Sequence, residues 1–471
     1  MTDIDEQVRP GQSRGGETAD IYDEDGSIRS DFLALVGAAI ADRDVLFLRE
    51  HVAKLHESEL GHLIEAIHPD QRLPMITLLG DDFDMTALTE VDESIRMQIV
   101  DQMPNEQIAA GIGEIDSDDA VYILEDLDQE DRDEILAQLP FTERVRLRRA
   151  LDYPESSAGR RMQTEFVAVP PFWTVGQTID YMRDEEELPE NFTQIFVIDP
   201  TFKLMGVVNL DRILRTKRLE KIEAIMRDTN HPIPAEMDQE EAAQVFEQYD
   251  LLSAAVVDES GRLVGVLTID DVVDVIQEEA EEDLMRLGGV GDEELSDSIP
   301  ETSRSRVPWL LVNLLTAFLA ASVISLFEAT IQQIVALAVL MPIVAGMGGN
   351  AGSQTMTVTV RALATRNLDI HNAWRVVRRE AGVGLVNGLV FGLLIGVIAG
   401  FWFHDVNIGG IIASAMLINM LAAAVAGILI PLLLDKIGAD PAVSSAVFVT
   451  TVTDITGFFS FLGLATWWFS I

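Results

Sequence analysis

Apolar positions change rhythm along the chain, and each rhythm predicts a different architecture. Over residues 31–153 short runs at helical spacing, such as Leu60-Gly-His-Leu-Ile-Glu-Ala-Ile67, alternate with acidic or Pro-bearing turns such as His68-Pro-Asp70. Apolar residues at i, i+3 and i+4, with hardly a β-branched run, predict an all-α stack of short helices over 31–157. Ile112-Gly-Glu-Ile115 before Asp116-Ser-Asp-Asp119, and Ile123-Leu-Glu-Asp-Leu127 before Asp128-Gln-Glu-Asp131, repeat the scheme. Asp116 and Asp128, each with an acidic residue three positions on, are expected to cap the helices that follow. Cap chemistry accounts for most carboxylates here; cation binding by Asp118 or Asp119 is the alternative.

After Ser156-Ser-Ala-Gly159 the pattern turns to strands. Phe166-Val-Ala-Val169 precedes a helical Val175-Gly-Gln-Thr-Ile-Asp-Tyr-Met182, then the strands Gln194-Ile-Phe-Val-Ile-Asp199 and Lys203-Leu-Met-Gly-Val-Val208, then a helix near Asp211. The scheme recurs with Ile233-Pro234, a helix from Glu240 to Phe246, the strand Ser253-Ala-Ala-Val-Val-Asp258, Leu263-Val-Gly-Val-Leu267 and a helix from about Asp270. Such duplication predicts paired α/β modules over 158–280, divided as 158–224 and 225–280.

Five apolar stretches follow, at 307–327, 334–360, 381–403, 408–434 and 441–469. Each is close to the roughly 20 residues that cross a bilayer. The expected whole is a multidomain membrane protein: a helical stack, an α/β pair, an acidic connecting helix over 270–303, and an all-α transmembrane domain over 304–471.

Charge divides along the same lines. Residues 301–471 hold eight acidic and eight basic side chains, so the net charge of −45 falls on the first 300 residues. A strongly acidic soluble part repels polyphosphate, which argues against a nucleic-acid partner and favours cations. Cysteine is absent, removing disulfides and thiolate chemistry, and the seven His take no ligand spacing. Residues 1–30 are polar and acidic without an apolar run, so a disordered tail and no secretory signal are expected. Arg304 and Arg306 precede the first span, Arg361, Arg366, Arg375, Arg378 and Arg379 lie between the second and third, and Lys436 lies between the fourth and fifth. The positive-inside bias then places the N-terminal part in the cytoplasm and the C-terminus outside a cytoplasmic (inner) membrane.

Candidate chemistry concentrates in two places. Asp454 is the only ionisable side chain of the last span and sits among Thr450, Thr451, Thr453 and Thr456. A carboxylate at mid-helix costs about 2.5–3.5 kcal/mol on insertion scales, so its retention suggests use. An acceptor-only group beside hydroxyls suits a hard cation that keeps part of its water. A neutral Asp bonded to a neighbouring helix is the alternative. The second span adds Met341-Pro-Ile-Val-Ala-Gly-Met-Gly-Gly-Asn-Ala-Gly-Ser-Gln354, where Pro342 and the glycines predict a distorted or closely packed helix and Asn350, Ser353 and Gln354 offer oxygens. Asn387 and Asn419 are expected in interhelical hydrogen bonds, and Glu328 near the mouth of a path.

The other place is the connecting helix, with eight carboxylates between Asp270 and Asp283 and no Lys or Arg among them. Asp271, Asp274, Glu278 and Glu282 share a helical face, with Val273, Ile276, Ala280, Leu284 and Leu287 expected as an apolar stripe opposite. A solvated acidic face is one reading. Divalent cations drawing this face towards acidic residues of another domain is the other, and would make a ligand-biased switch.

The Val-x-Asp turn followed by Leu-x-Gly-Val, present twice, resembles CBS domains. Gly265-Val-Leu-Thr268-Ile-Asp-Asp271 fits that family's Gly-x-x-Thr-x-x-Asp nucleotide run, whereas Gly206-Val-Val-Asn209-Leu-Asp-Arg212 departs from it. The resemblance therefore implies ATP binding by the second module at most, through Thr268 and Asp271. The order of parts, with Tyr153-Pro-Glu-Ser-Ser-Ala-Gly159, Gly348-Gly-Asn-Ala-Gly-Ser-Gln354, Arg361-Ala-Leu-Ala364, Asp440-Pro-Ala442 and Thr453-Asp-Ile-Thr-Gly457, resembles the MgtE-type magnesium transporters. That resemblance implies a homodimer with Mg²⁺ as substrate and regulator. It implies a pore lined by Asn350, Gln354, Thr450, Thr453 and Gly457, with Asp454 holding a hydrated Mg²⁺. It also implies intracellular sensor sites at Glu240, Asp250, Asp271, Asp274, Glu279, Glu282 and Asp283, with Asp118 and Asp119 as partners from the helical domain. Transport of Co²⁺ or Mn²⁺, and a membrane-anchored CBS receptor or scaffold, are the competing readings. No enzyme is implied, since no metal triad, P-loop or nucleophile elbow occurs.

Overall fold

The computed structural model describes residues 21–23, 25–185, 188–189, 191–228, 231–290, 299–364, 368, 373–437 and 441–470. Most of the expected acidic tail, Arg366 and Asp440 lie outside them. The described chain forms two compact units, residues 1–277 and 278–471.

In the first unit, α1 (Ser30–Asp42), α2 (Val45–His51), α3 (Glu57–Ala66), α4 (Pro69–Leu79), α5 (Glu93–Val100), α6 (Asn105–Ile112), α7 (Ser117–Glu125), α8 (Gln129–Gln138) and α9 (Phe141–Leu151) follow one another. They bury one continuous core that includes Leu48, Ile64, Met75, Leu88, Ile108 and Ile123. The expectation of disorder up to residue 30 is corrected: Tyr22 pairs with Ile28 as an antiparallel bridge and Ile21 is buried in this core. Asp23 makes that turn by accepting from the Asp25 and Ser27 amides, while Gly26 takes φ +81°. Asp128 caps α8 as expected, accepting from Glu130 N and Asp131 N. Asp116 holds the cap position of α7 without a capping bond. The donors there are taken otherwise, Ser117 N by Glu165 at 3.3 Å and Asp119 N by Asp118 at 3.1 Å.

The two modules are copies in register. In the first, β1 (Ala168–Val169), α10 (Val175–Asp184), β2 (Gln194–Ile198), β3 (Leu204–Asn209), α11 (Leu210–Arg215) and α12 (Ile222–Ile225) follow in order. In the second, β4 (Ile233–Pro234), α13 (Gln239–Tyr249), β5 (Ser253–Val257) and β6 (Leu263–Thr268) lead into α14 (Ile269–Gly288). Each sheet has a parallel first pair and an antiparallel second pair, with an irregularity at the same place, Val197/Ile198 and Val256/Val257. The segments ahead of each module cross over: Gln163 pairs with Val266 of the second sheet and Arg227 with Val207 of the first. This explains the repeated Leu-x-Gly-Val. A Cβ at Gly206 would lie 2.5 Å from Arg227 O and one at Gly265 2.6 Å from Gln163 O, so only glycine admits the crossing strand.

The stripe expected on α14 is corrected. Val272 and Val275 are buried in the second module's core, whereas Val273 and Ile276 are exposed. The helix enters from β6 with its 272/275 edge down, one position off the face inferred from spacing.

In the second unit, α15 (Ile299–Ser325), the short α16 (Glu328–Gln333), α17 (Ala336–Ala364), α18 (Ala373–Trp402), α19 (Val406–Lys436) and α20 (Pro441–Phe469) include five helices long and apolar enough to cross a membrane. α17 continues as one helix through Pro342, and of the distorted or closely packed helix expected there the close packing is found. A Cβ at Gly352 would fall 2.6 Å from Val449, and one at Gly348 would collide with Asn419. Gly384, Gly388 and Gly392 repeat every fourth residue on α18, and each added Cβ would come within 2.9 Å of α19. Small residues let membrane helices approach closely where the hydrophobic effect supplies no force.

Candidate metal sites

The membrane site grows from the packing of α17, α19 and α20. Asn419 of α19 donates from Nδ2 to Val344 O at 2.8 Å and lies against Gly348 and Gly457, as expected of an interhelical hydrogen bond. Thr453 is fully buried, and Gly457 faces Asn419. Both are expected along the path, and within one chain they lie on the face that packs the helices. Thr450 is exposed and Asp454, one turn on, is half-buried. Thr450, Thr451 and Thr453 donate to Ala446 O, Val447 O and Thr450 O, which leaves their oxygen lone pairs free to accept. Asp454 makes no hydrogen bond or ion pair among the described residues. A carboxylate tied to a neighbouring helix is thus not what is found. On α17, Asn350 and Gln354 are exposed one turn apart in a span that could otherwise face lipid.

The second cluster lies in the first unit. Asp118 is 8% exposed at the start of α7 and lies close enough to Asp271, at the start of α14, for the two carboxyls to act on one another; Thr268 donates to the same Asp271 carboxylate. Burial, followed by the charge of Asp271, holds the Asp118 carboxyl well above the usual range. Asp119 is pushed up to about 7, first by burial and then by Asp271, Asp116 and the more distant Glu57 and Glu90. Burial raises Asp271 to about 6, against the lowering effect of the Thr268 bond. Neighbouring buried carboxylates disfavour one another's ionised form unless a proton or a cation is shared between them. Asp274 also rises, through partial burial and the charges of Glu90 and Asp270.

The remaining expected ligands are dispersed. Glu240 accepts from Gln244 at 3.2 Å on its own helix, and Asp250 ends α13 in a left-handed conformation at φ 51°. Glu282 is paired with Arg286 one turn on, so the offsetting positive charge comes from just beyond the acidic run. Glu279 and Asp283 stand beside it on α14, in the other unit. Among the described residues no three His, Cys, Asp or Glu side chains converge closely enough to hold an ion unaided.

Sequence profiles match three parts of the chain: a divalent cation transporter domain, MgtE, over residues 341–464; the MgtE intracellular N domain over 55–156; and CBS domains over 158–218 and 222–278. A magnesium transporter MgtE of Thermus thermophilus is 31% identical over 91% of this chain and 96% of its own length. The chain belongs to the MgtE family. A magnesium transporter MgtE of Enterococcus faecalis is 35% identical over 68% of this chain and 70% of its own. A crystal structure of the cytosolic domain of the Mg²⁺ channel MgtE in complex with ATP is similar over 52% of this chain and 99% of that one, at 27% identity and TM-score 0.48.

Membership makes the chain a multi-pass membrane transporter and removes the ground for a receptor or scaffold. Asn350 and Asp454 fall within the MgtE transporter region, Asp118 and Asp119 within the N domain, and Asp271 and Asp274 within the second CBS region. Sequence reasoning missed Arg286, although an i, i+4 acid–base pair on the acidic helix could have shown it, and it missed the glycine stripe of α18, which is legible as a four-residue repeat.

Proposed function

We propose that this chain conducts Mg²⁺ through a path at the seam between two copies, lined by α17 and α20, and that Mg²⁺ at the Asp118–Asp119–Asp271 junction closes it. The observation that carries the path is a half-buried Asp454 on α20, unpaired among the described residues, together with the exposed Asn350 and Gln354 of α17, in helices otherwise fit for lipid. Polar groups at membrane depth persist where they meet protein or water, and a second copy across a two-fold axis supplies both. Two such Asp would present Mg²⁺ with one or two carboxylates and leave its remaining water in place, which suits an ion that dehydrates reluctantly. The relatives named above are magnesium transporters, in keeping with this choice.

The same ion regulates. The junction joins α7 of the helical domain to α14 of the CBS pair, and its carboxylates repel one another unless protonated or bridged. High internal Mg²⁺ supplies the bridge, draws the two elements together and closes the path; low Mg²⁺ lets repulsion open it. Thr268 and Asp271 serve this junction in place of a nucleotide. Basic residues flanking the spans put the N-terminal unit in the cytoplasm.

The test is Mg²⁺ uptake by proteoliposomes holding the full chain, with Mg²⁺ on the cytoplasmic side varied. Uptake that falls as internal Mg²⁺ rises is expected. Uptake of Co²⁺ or Mn²⁺ without Mg²⁺ would overturn the substrate, and uptake indifferent to internal Mg²⁺ would overturn the gate.

A further inference from the structure

One cavity of about 410 Å³ in the first unit has a chemistry opposite to everything around it. Its walls include Arg146 and Arg149 of α9 together with Arg262, Phe202 and Thr201 from the turns of the two modules. The chain carries a net charge of −45, and α9 nevertheless brings four arginines. Two face other work: Arg144 donates to Ala137 O, and Arg148 is bonded to Asp133 at 2.9 Å. The two that line the cavity make only loose pairs, Arg146 with Glu165 and Arg149 with Asp258, both at 3.8 Å. That is beyond a hydrogen bond, so their guanidinium donors remain available. Arg262 has no side-chain partner among the described residues. Of the lining residues only Asp258 opposes this charge, and its other oxygen is held by the Ser260 and Arg262 amides.

The turns differ in an informative way. Asp199-Pro-Thr-Phe202-Lys203 and Asp258-Glu-Ser-Gly261-Arg262 occupy the same place in the duplicated modules. Both fourth positions are left-handed, Phe202 at φ 65° and Gly261 at φ 74°. Glycine accepts that conformation freely and phenylalanine does not. Phe202 is also 57% exposed, so burial does not compensate, and its carbonyl accepts from Leu263 N at 2.9 Å, which fixes the turn. A strained residue kept in place points to a use for its side chain.

We propose that this cavity binds a small phosphate ester bearing a flat ring, of the nucleoside phosphate class, with the phosphate on Arg146, Arg149 and Arg262 and the ring on Phe202. Guanidinium forks match phosphate oxygens, and ring stacking needs an exposed aromatic face. The volume lies within the range of small-molecule sites, about 300–1,000 Å³. Neither Thr268 nor Asp271 lines it, so it is separate from the second module's nucleotide run. Cations are repelled here, so neither transport nor Mg²⁺ sensing accounts for it. A ligand there touches α9 and both turns, and would oppose their separation.

Calorimetric titration of the full chain in detergent with ADP, pyrophosphate and adenosine tests this without reference to transport. ADP should bind once per chain, with pyrophosphate weaker and adenosine weakest. Arg262→Gln, at an exposed side chain, should weaken ADP about tenfold or more, as loss of a charge-assisted contact does. Phe202→Gly, which relieves the backbone and so preserves the fold, should weaken ADP and leave pyrophosphate unchanged. No binding of ADP at millimolar concentration, or binding lost on Thr268→Val and untouched by Arg262→Gln and Phe202→Gly, overturns the proposal. Pyrophosphate binding as tightly as ADP with Phe202→Gly neutral overturns the ring assignment.

Discussion

Asp454 stands by itself, the only ionisable group of α20, with threonine hydroxyls for neighbours and no bond to its carboxylate among the described residues. Burial holds the carboxyls of Asp118, Asp119 and Asp271 high, and the charge of Asp271 adds to the rise at both Asp118 and Asp119. Both arrangements attract a divalent ion, but the energetics differ. A solitary, partly hydrated carboxylate holds Mg²⁺ through water and releases it readily, as passage requires. A crowd of like charges is unstable until an ion or a proton joins it, so occupancy changes the structure. Charge density at a site thus separates conduction from sensing within one chain.

The largest effect should come from the solitary site. Asp454→Ala should lower Mg²⁺ flux by two orders of magnitude or more, the scale of losing a charged contact worth about 3 kcal/mol. The variant should keep its oligomeric state on size-exclusion chromatography, because the packing face of α20 is made by Thr453 and Gly457 instead. Flux within a factor of two of the parent would remove Asp454 from the path.

The crowded site should respond differently. Asp271→Asn combined with Asp118→Asn should leave maximal flux intact and raise the internal Mg²⁺ needed for half-inhibition by about tenfold per lost ligand, since about 1.4 kcal/mol is tenfold. Normal inhibition in that double variant would show that sensing resides elsewhere on α14.

Titration sharpens the contrast. Asp119 near 7 and Asp271 near 6 keep protons in the folded chain that an unfolded chain sheds near the ordinary carboxylate value of about 4. Without Mg²⁺, this junction therefore loses stability as pH climbs from that range through 6 and 7. Mg²⁺ must displace those protons, so inhibition should weaken as pH falls below about 7, by up to about tenfold per unit for each proton displaced. Half-inhibition measured between pH 8 and 5.5 checks this, and a flat profile would contradict a proton-sharing junction.

Much of this was legible beforehand because it rests on local pattern. The five spans follow from unbroken apolar length, the modules from a repeat, and Asp454 from the cost of a charge in lipid. The glycines of Leu-x-Gly-Val were visible as a motif, but their cause, a crossing strand from Gln163 or Arg227, is a long-range contact that no window contains. The face of α14 was misplaced by one position because its first turn is set by docking on the second module through Val272 and Val275. Thr453 and Gly457 lie toward the neighbouring helices for a like reason: adjacency to Asp454 in sequence says nothing about which side of α20 meets α17 and α19.

The smallest effect separates carboxylates that cap from carboxylates that sense. Asp128 satisfies two amides of α8, so Asp128→Ala should cost about 1 kcal/mol of stability. Asp116 occupies the same kind of position and makes no capping bond, with the first amide of α7 taken by Glu165. Asp116→Ala removes no cap bond and should therefore cost less stability than Asp128→Ala. Its charge nevertheless raises Asp119, so the same change should lower the Asp119 pKa and leave Mg²⁺ inhibition slightly less sensitive to acid. Thermal unfolding of both variants beside their inhibition curves decides it. Should Asp128→Ala move half-inhibition as far as Asp271→Asn does, distance from the junction would not matter, and the division between structural and sensing acids would fail.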